Sequence, residues 1–410
     1  MLNEKEKLDA LANLGIELSR VQDLDIVMEH ILTEARRFVN ADAGSIYIRE
    51  KDMLHFTYTQ NYTLQQRLSE GEKLIYSTFR MPINKESIAG YVAATGNPLN
   101  LKDVYSIDPS CPYHFSKEFD KKTQYKTQSV LTIPLKNHHD DVIGILQIIN
   151  AEDASQKVVA FSQDDERMML HFASIAAVAL ERAQMTRAIL LRMILMAEMR
   201  DPKETGAHVN RVGGYAVELY ERWARRRKLN QSEIDRCRDI LRMAAMLHDV
   251  GKIAISDLIL KKPGRLDEAE FTTMKQHTVL GARLFSERQS DFDEAAAQVA
   301  LNHHERWDGN GYPGQVDVQT GKTQKGHAHP DGRPMGKAGE QIPLYGRIVA
   351  LADVYDALSS VRVYKSAWDE SKVLDTIKSE SGRHFDPELV EIFFESLDFL
   401  RAIQQRYQDS

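Results

Sequence analysis

The chain has 410 residues, 42% of them apolar, and a formal net charge of −7. That length exceeds one ordinary core, so two domains are expected. The acidic balance, with a pI near 6.1, argues against a general nucleic-acid binder, which would carry a basic face.

The two cysteines, Cys111 and Cys237, make neither a CxxC motif nor a disulfide framework, which fits a reducing cytoplasm. The first residues, Met1 to Lys7, have no cationic segment followed by an apolar one, so no signal peptide is expected. No stretch approaches the roughly 18–20 apolar residues that cross a bilayer. The best candidate, Ala188 to Ala197, is broken by Arg192. A soluble, cytoplasmic protein is the expectation.

Residues 4–39 read as helical, with Leu8, Leu11, Leu14, Ile16 and Leu18, then Ile26, Val27, Ile31, Ala35 and Phe38, at mostly helical spacings. A turn over Asn40-Ala41-Asp42-Ala43-Gly44 leads into the alternating strand Ser45–Arg49, and His55–Thr59 is a second strand. Further strands are expected at Ser129–Leu135 and Val142–Asn150, separated by the polar turn Asn137–Asp141, in which His138 and His139 need no special role. Helices flanking an antiparallel sheet make an α+β domain.

Ser162, with Asp165 three residues later, is a variant capping box. It opens one long helix to about Arg200, on the order of 55 Å at 1.5 Å per residue. Met168, Phe172, Ile175 and Ala179 are spaced as a heptad seam. Part of this helix is expected to pack on its own sheet, and a parallel homodimer through it would let a twist or register change reach the second domain.

After that helix the pattern is entirely helical, with helices at about 187–200, 207–228, 232–250, 267–288, 293–304, 344–360 and 370–378. The chemistry gathers around Met246-Leu247-His248-Asp249-Val250-Gly251-Lys252. His248 and Asp249 set a neutral nitrogen beside a carboxylate, ligands that Zn, Mn or Fe accept. More ligands stand far off in sequence: His208, His277, the pair His303-His304, and Asp353. Pro202 breaks the preceding helix, leaving Glu198 near a helix end where its carboxylate can turn toward His208. His208 and Arg211 share a helix face. Lys252 lies close to the His-Asp pair, although Gly251 signals a helix ending there. Asp353 sits in the otherwise apolar Ile348–Leu358, where a buried carboxylate needs a partner that a metal would supply.

Two stretches, Glu86-Ser87-Ile88-Ala89-Gly90 through Asn97-Pro98-Leu99-Asn100, and Phe119-Asp120-Lys121-Lys122-Thr123 with Tyr125-Lys126-Thr127 and Ser129–Leu135, resemble GAF sensor domains over about residues 16–183. The resemblance implies either a small-molecule pocket, with a cyclic nucleotide among its candidate ligands, or a dimerisation module.

The pattern His208, His248-Asp249 and Asp353 resembles the HD metal-dependent phosphohydrolases. The rest of the set is similar to the HD-GYP subfamily over about residues 187–400: Lys261–Leu266, His277, His303-His304-Glu305-Arg306-Trp307-Asp308-Gly309 and Gly311-Tyr312-Pro313. This implies three segments: a GAF domain over 1–161, a connecting helix over 162–200, and a helical HD-GYP phosphodiesterase over 201–410. It also implies a two- or three-metal centre of iron or manganese that hydrolyses cyclic di-GMP. By the same resemblance, His208, His248, Asp249 and Asp353 hold one metal. A second shares Asp249 and takes His277, His303 and His304, while Glu198 helps hold a third. Lys252 contacts the scissile phosphate. Arg211, Asp308, Gly309, Gly311, Tyr312 and Pro313 shape the substrate side, and Arg362, Tyr364 and Lys365 match a downstream Arg-Pro-Tyr-Arg stretch.

Three departures stand out. Val363 replaces a proline, and Lys365 replaces an arginine and loses its planar fork for phosphate. Between Gly314 and Ile342 the chain is longer than the family's short connection and carries His327 and His329. A mobile loop or lid is expected there.

Two neighbouring metals lower the pKa of a bridging water and bind phosphoryl oxygens, while Lys252 and Arg211 would stabilise developing charge. Linear pGpG is the expected first product, with GMP as an alternative endpoint. The alternatives are cyclic GMP-AMP or another nucleotide as substrate, a non-catalytic cyclic di-GMP receptor, and a GAF ligand that switches the enzyme. The basic run Arg222–Lys228 reads as a solvated helix end, and His384 as a residue that caps or packs a turn.

Overall fold

The computed structural model describes residues 4–68, 79–198, 206–360 and 368–407. Contacts divide the chain into Met1–Thr186 and Arg187–Ser410, so the division falls inside one continuous helix. No helix among the described residues is long and apolar enough to cross a membrane.

The first unit opens with α1 (Glu4–Arg20) and α2 (Leu24–Phe38) where one helical stretch was expected. The break has a local cause: the Asp23 carboxylate accepts from Asp25 N and Ile26 N and starts a new helix. Then come β1 (Ala41–Glu50), β2 (Met53–Asn61), α3 (Tyr62–Gln65), β3 (Phe79–Pro82), α4 (Ile88–Thr95), β4 (Leu99–Leu101), α5 (Glu118–Thr123), β5 (Val130–Lys136), β6 (Val142–Glu152) and β7 (Val158–Val159). They form one antiparallel sheet in the order β3-β2-β1-β6-β5-β4, with β7 pairing β6.

The turn expected over Asn40–Gly44 is shorter. Asn40 alone takes a left-handed φ of 48°, and Ala41 already pairs with Ala151. Gly44 therefore lies within β1. A Cβ there would stand 2.8 Å from Leu32 Cδ1 and 3.0 Å from the Gln147 carbonyl, so this glycine serves the close approach of α2 to the sheet rather than a turn. Gly44→Val should destabilise this unit by about 1–3 kcal/mol through overpacking, read as a lower midpoint in urea unfolding with an unchanged slope.

The segment after α5 folds back through buried polar contacts. The Asp120 carboxylate accepts from Thr127 N, Thr127 Oγ1 and Tyr105 OH, each at 2.8 Å. Asp42 accepts from Tyr125 OH at 2.6 Å, and Asn150 donates to the same phenol oxygen at 2.9 Å.

The long helix, α6 (Gln163–Glu198), begins at the expected box: Ser162 N donates to Asp165 Oδ2, and Asp165 N to Ser162 Oγ, both at 3.0 Å. The heptad seam expected on it is spent within the first unit. Phe172 and Ala179 are buried with Phe38 and Leu32, while Met168 and Ile175 pack against the same core. The face left open instead carries Leu170, Val178 and Met185.

The second unit contains α7 (Gly206–Arg226), α8 (Gln231–Met246), α9 (Asp257–Leu260), α10 (Glu268–Leu284), α11 (Asp291–Asn302), α12 (Leu344–Ser359), α13 (Glu370–Ser379), α14 (Pro387–Glu395) and α15 (Leu397–Arg406). Its core runs from Tyr215 and Leu219 on α7 to Tyr355 on α12 and Phe393 on α14. The basic run at the end of α7 is paired: Arg225 with Glu221, Arg226 with Glu391 and Glu395, and Arg227 with Glu388.

The stretch expected as a mobile loop or lid is tied down at both stems. Glu305 accepts from Gly314 N at 2.6 Å and from Lys337 N at 3.2 Å, and Arg283 on α10 donates to the Val318 carbonyl at 3.1 Å.

Candidate metal centre

Five elements of the second unit bring the histidines and aspartates together. His208 comes from the first turn of α7, His248 and Asp249 follow α8, and His277 lies on α10. His303 and His304 follow α11, and Asp353 lies on α12. Gly251 is what admits one of these approaches. A Cβ at that position would lie 2.0 Å from the His277 carbonyl, so only glycine lets the turn after Asp249 press against α10.

The donor atoms form two groups, His208-His248-Asp353 and Asp249-His277-His303-His304, each with its atoms within 4.8 Å of one another. Asp249 faces both. Its Oδ1 stands 3.1 Å from His277 Nε2 and 3.5 Å from His303 Nε2. Its Oδ2 stands 3.4 Å from His248 Nε2 and 2.6 Å from Lys252 Nζ. Asp353 Oδ1 lies 3.6 Å from His208 Nε2 and 3.9 Å from His248 Nε2.

Ring orientation tests whether a cation fits. His248 Nδ1 donates to the Ala245 carbonyl at 2.9 Å, His277 Nδ1 to Met274 at 2.7 Å, and His303 Nδ1 to Val299 and Ala300 at 3.1 Å. His208 Nδ1 donates to Asp356 Oδ2 at 2.8 Å. A carbonyl or carboxylate cannot donate, so the proton sits on Nδ1 and a neutral ring turns its Nε2 lone pair inward. His277 Nε2, His303 Nε2 and Asp249 Oδ1 are buried and make no hydrogen bond. Burial lowers the His303 pKa, and burial together with His303 holds His304 well below the usual histidine range. Burial alone would raise the Asp249 carboxyl, but Lys252, with Nζ 2.6 Å from Oδ2, leads the contacts that outweigh it and hold it well below the usual range. With the rings neutral, the Nε2 lone pairs of His277 and His303 face a carboxylate oxygen at 3.1 and 3.5 Å with no proton between them. That contact is repulsive unless a cation bridges it, and nitrogen with carboxylate donors suits a divalent transition metal.

Family models match the chain in two places: the GAF domain over residues 23–180 and the HD domain over residues 205–358. The chain carries a GAF domain followed by an HD domain. Among its relatives is a cyclic di-GMP phosphodiesterase of Vibrio cholerae serotype O1, 35% identical over 301 residues, covering 71% of this chain and 52% of that protein. The cyclic di-GMP phosphodiesterase response regulator RpfG of Xanthomonas campestris pv. campestris is 40% identical over 205 residues, covering 50% of this chain and 46% of the relative. The 3'3'-cGAMP-specific phosphodiesterase 2 of Vibrio cholerae is 38% identical over 207 residues, covering 50% and 34%. The chain thus spans about half or less of the length of each.

Within the HD domain, Arg211 lies elsewhere than expected. It is 3% exposed, and its guanidinium donates to Asp356 through Nε at 2.6 Å and Nη2 at 2.9 Å, and to the Tyr407 carbonyl at 2.8 Å. It supports His208 from behind instead of facing a substrate. The buried carboxylate of α12 is likewise Asp356, whose side chain is 1% exposed, whereas that of Asp353 is 16% exposed. Asp356 was not singled out in the sequence, although a signal exists: His208 and Arg211 are three apart on one helix, as are Asp353 and Asp356 on another, so each pair shares a face.

Asp308 is held by Arg306 through Nε at 3.2 Å and Nη2 at 3.0 Å, which lowers its pKa to about 2. It accepts from Asn310 N at 3.0 Å and so braces the Gly309–Pro313 loop. Gly311 lets this loop double back, since a Cβ there would lie 2.3 Å from Arg306 N. Tyr312 then stacks on His304 with ring centroids 4.7 Å apart. Neither His327 nor His329 joins a group of potential ligands among the described residues. His384 stacks on Phe385, and burial brings its pKa down to about 4. The Glu198 side chain and residues Arg362, Val363, Tyr364 and Lys365 lie outside the described residues.

Proposed function

We propose that the HD domain is a metal-dependent phosphodiesterase that opens cyclic di-GMP to linear pGpG, with a further cut to GMP open to the same site. The observation that carries this reading is Asp249, whose two oxygens face two separate groups of imidazole nitrogens. His208, His248, Asp249 and Asp353 would hold one iron or manganese ion. Asp249, His277, His303 and His304 would hold a second, and Glu198 stands in the chain where it could serve a third. When bound, such a pair polarises phosphoryl oxygens and lowers the pKa of a water molecule toward neutrality.

The chain's own residues do the rest. Asp356 and the backbone carbonyls fix the imidazole tautomers, so the nitrogens are oriented before substrate arrives. Lys252 adds positive charge beside Asp249, suited to negative charge developing on a phosphoryl oxygen. Tyr312, stacked on His304, closes one side of the site. The relatives named for cyclic di-GMP support this substrate. The relative named for 3'3'-cGAMP favours one second reading, the same chemistry on a mixed cyclic dinucleotide.

We further propose that the GAF domain binds a small molecule, with a cyclic nucleotide as the first candidate, and regulates turnover in a cytoplasmic homodimer. The pairing face would be that of Leu170, Val178 and Met185, because the face of Phe172 is already buried. Parallel incubations of the manganese-loaded protein with cyclic di-GMP and 3'3'-cGAMP, followed by chromatography, test the substrate. A kcat/KM at least about tenfold higher for cyclic di-GMP, a difference of ~1.4 kcal/mol in transition-state binding, is expected, and the reverse ratio would transfer the reading to the mixed dinucleotide.

A further inference from the structure

Lys275, on α10 beside the metal centre, has no role in the account so far. It is half-buried, and its ammonium sits 4.7 Å from the ring centroid of Phe271 and 5.3 Å from that of Tyr312. The neighbouring lysines are paired with carboxylates: Lys252 with Asp249 at 2.6 Å, Lys261 with Asp257 at 3.2 Å, and Lys262 with Glu270 at 2.6 Å. No carboxylate pairs with Lys275 among the described residues. Aromatic faces hold an ammonium in place by their quadrupole and leave its charge in force, so this cation is positioned without being neutralised. Phe271 stays 44% exposed, which keeps this corner open to a ligand.

The position relates directly to the metal groups. Tyr312 meets the Lys275 ammonium with its ring and stacks on His304 at 4.7 Å, and Phe271 meets Tyr312 edge to face at 6.2 Å. A phosphodiester held at the histidines and aspartates would place one phosphate at donor groups that do not include Lys275. A cyclic dinucleotide carries a second phosphate on the far side of its ring.

We propose that Lys275, seated on Phe271 and Tyr312, anchors the phosphate that is not cleaved and so selects substrates with two phosphates over those with one. The inference rests on the phosphodiesterase reading above.

The test uses the manganese-loaded full chain as wild type, Lys275→Gln, Lys275→Arg and Phe271→Ala. kcat and KM are measured with cyclic di-GMP and with bis(p-nitrophenyl) phosphate, which has a single phosphate. Bound metal is counted, and calorimetry follows binding of a slowly cleaved phosphorothioate analogue of cyclic di-GMP. Loss of one charge-assisted contact should raise KM for cyclic di-GMP and weaken analogue binding by about tenfold in Lys275→Gln. kcat, the metal count and turnover of the single-phosphate compound should stay at wild-type values. Lys275→Arg should recover most of the affinity, and Phe271→Ala should lose part of it, because the ammonium is then unseated. Equal KM values for wild type and Lys275→Gln on cyclic di-GMP, or an equal loss on both compounds, would overturn the anchor while the phosphodiesterase reading stands. A fully metallated wild type that cleaves neither compound would remove that reading and the anchor with it.

Discussion

Asp249→Asn should lower cyclic di-GMP turnover at least about a thousandfold, because several kcal/mol of metal-dependent stabilisation is lost and each ~1.4 kcal/mol is a factor of ten. The geometry explains the size. One carboxylate oxygen faces His277 and His303, while the other faces His248 and Lys252. Asparagine keeps one acceptor and turns the other position into a donor amide, so one of the two groups must face N–H instead of a lone pair. Metal analysis of the purified variant should find fewer bound ions than in wild type. A variant with wild-type metal content and turnover would remove Asp249 from the residues that would hold metal.

Asp356→Ala should be the most destabilising single change in the HD domain, by about 3–5 kcal/mol, because it strands a buried guanidinium. Arg211 has two hydrogen bonds to this carboxylate and is 3% exposed. Burial works against the Asp356 charge, but His208 and Arg211 prevail and lower its pKa. Arg211→Met alone should cost a similar amount. The double variant Arg211→Met, Asp356→Ala should cost clearly less than the sum, since it leaves no buried charge. Chemical denaturation of the four proteins gives the coupling directly, and additive losses would show that the pair does not act as a unit. The double variant should still bind its first metal more weakly, by about 10- to 100-fold, because His208 loses the carboxylate that orients it.

Residue type made the candidate ligands legible in the sequence, and the resemblance to the HD-GYP subfamily sorted them into two groups. His208, His248, Asp249, His277, His303, His304 and Asp353 all fall within the two groups. The supports were less legible. Arg211 reads from sequence as a phosphate contact because it shares a face with His208, yet Asp356 claims its guanidinium from another helix. A pairing across 145 residues leaves no trace in local periodicity.

Gly44 misled for a similar reason: it looks like a turn signal, but it is small because the Leu32 side chain and the Gln147 carbonyl pass close by. α8 does end before Gly251, as expected, and the close approach of α10 is a further reason for glycine there. The heptad pattern of α6 describes a buried helix as well as a coiled coil, and Phe172 faces Phe38 of the same unit with ring centroids 6.0 Å apart. An apolar spacing records burial, while the partner is set by the rest of the fold.

The most direct test is anaerobic reconstitution of the full chain with Fe(II) and, separately, Mn(II), followed by incubation with cyclic di-GMP and chromatography of the nucleotides. Two or more bound ions per chain, with pGpG or GMP formed and both lost in His248→Ala, is the predicted result. Intact cyclic di-GMP and unaltered 3'3'-cGAMP in a protein shown to be fully metallated would contradict it.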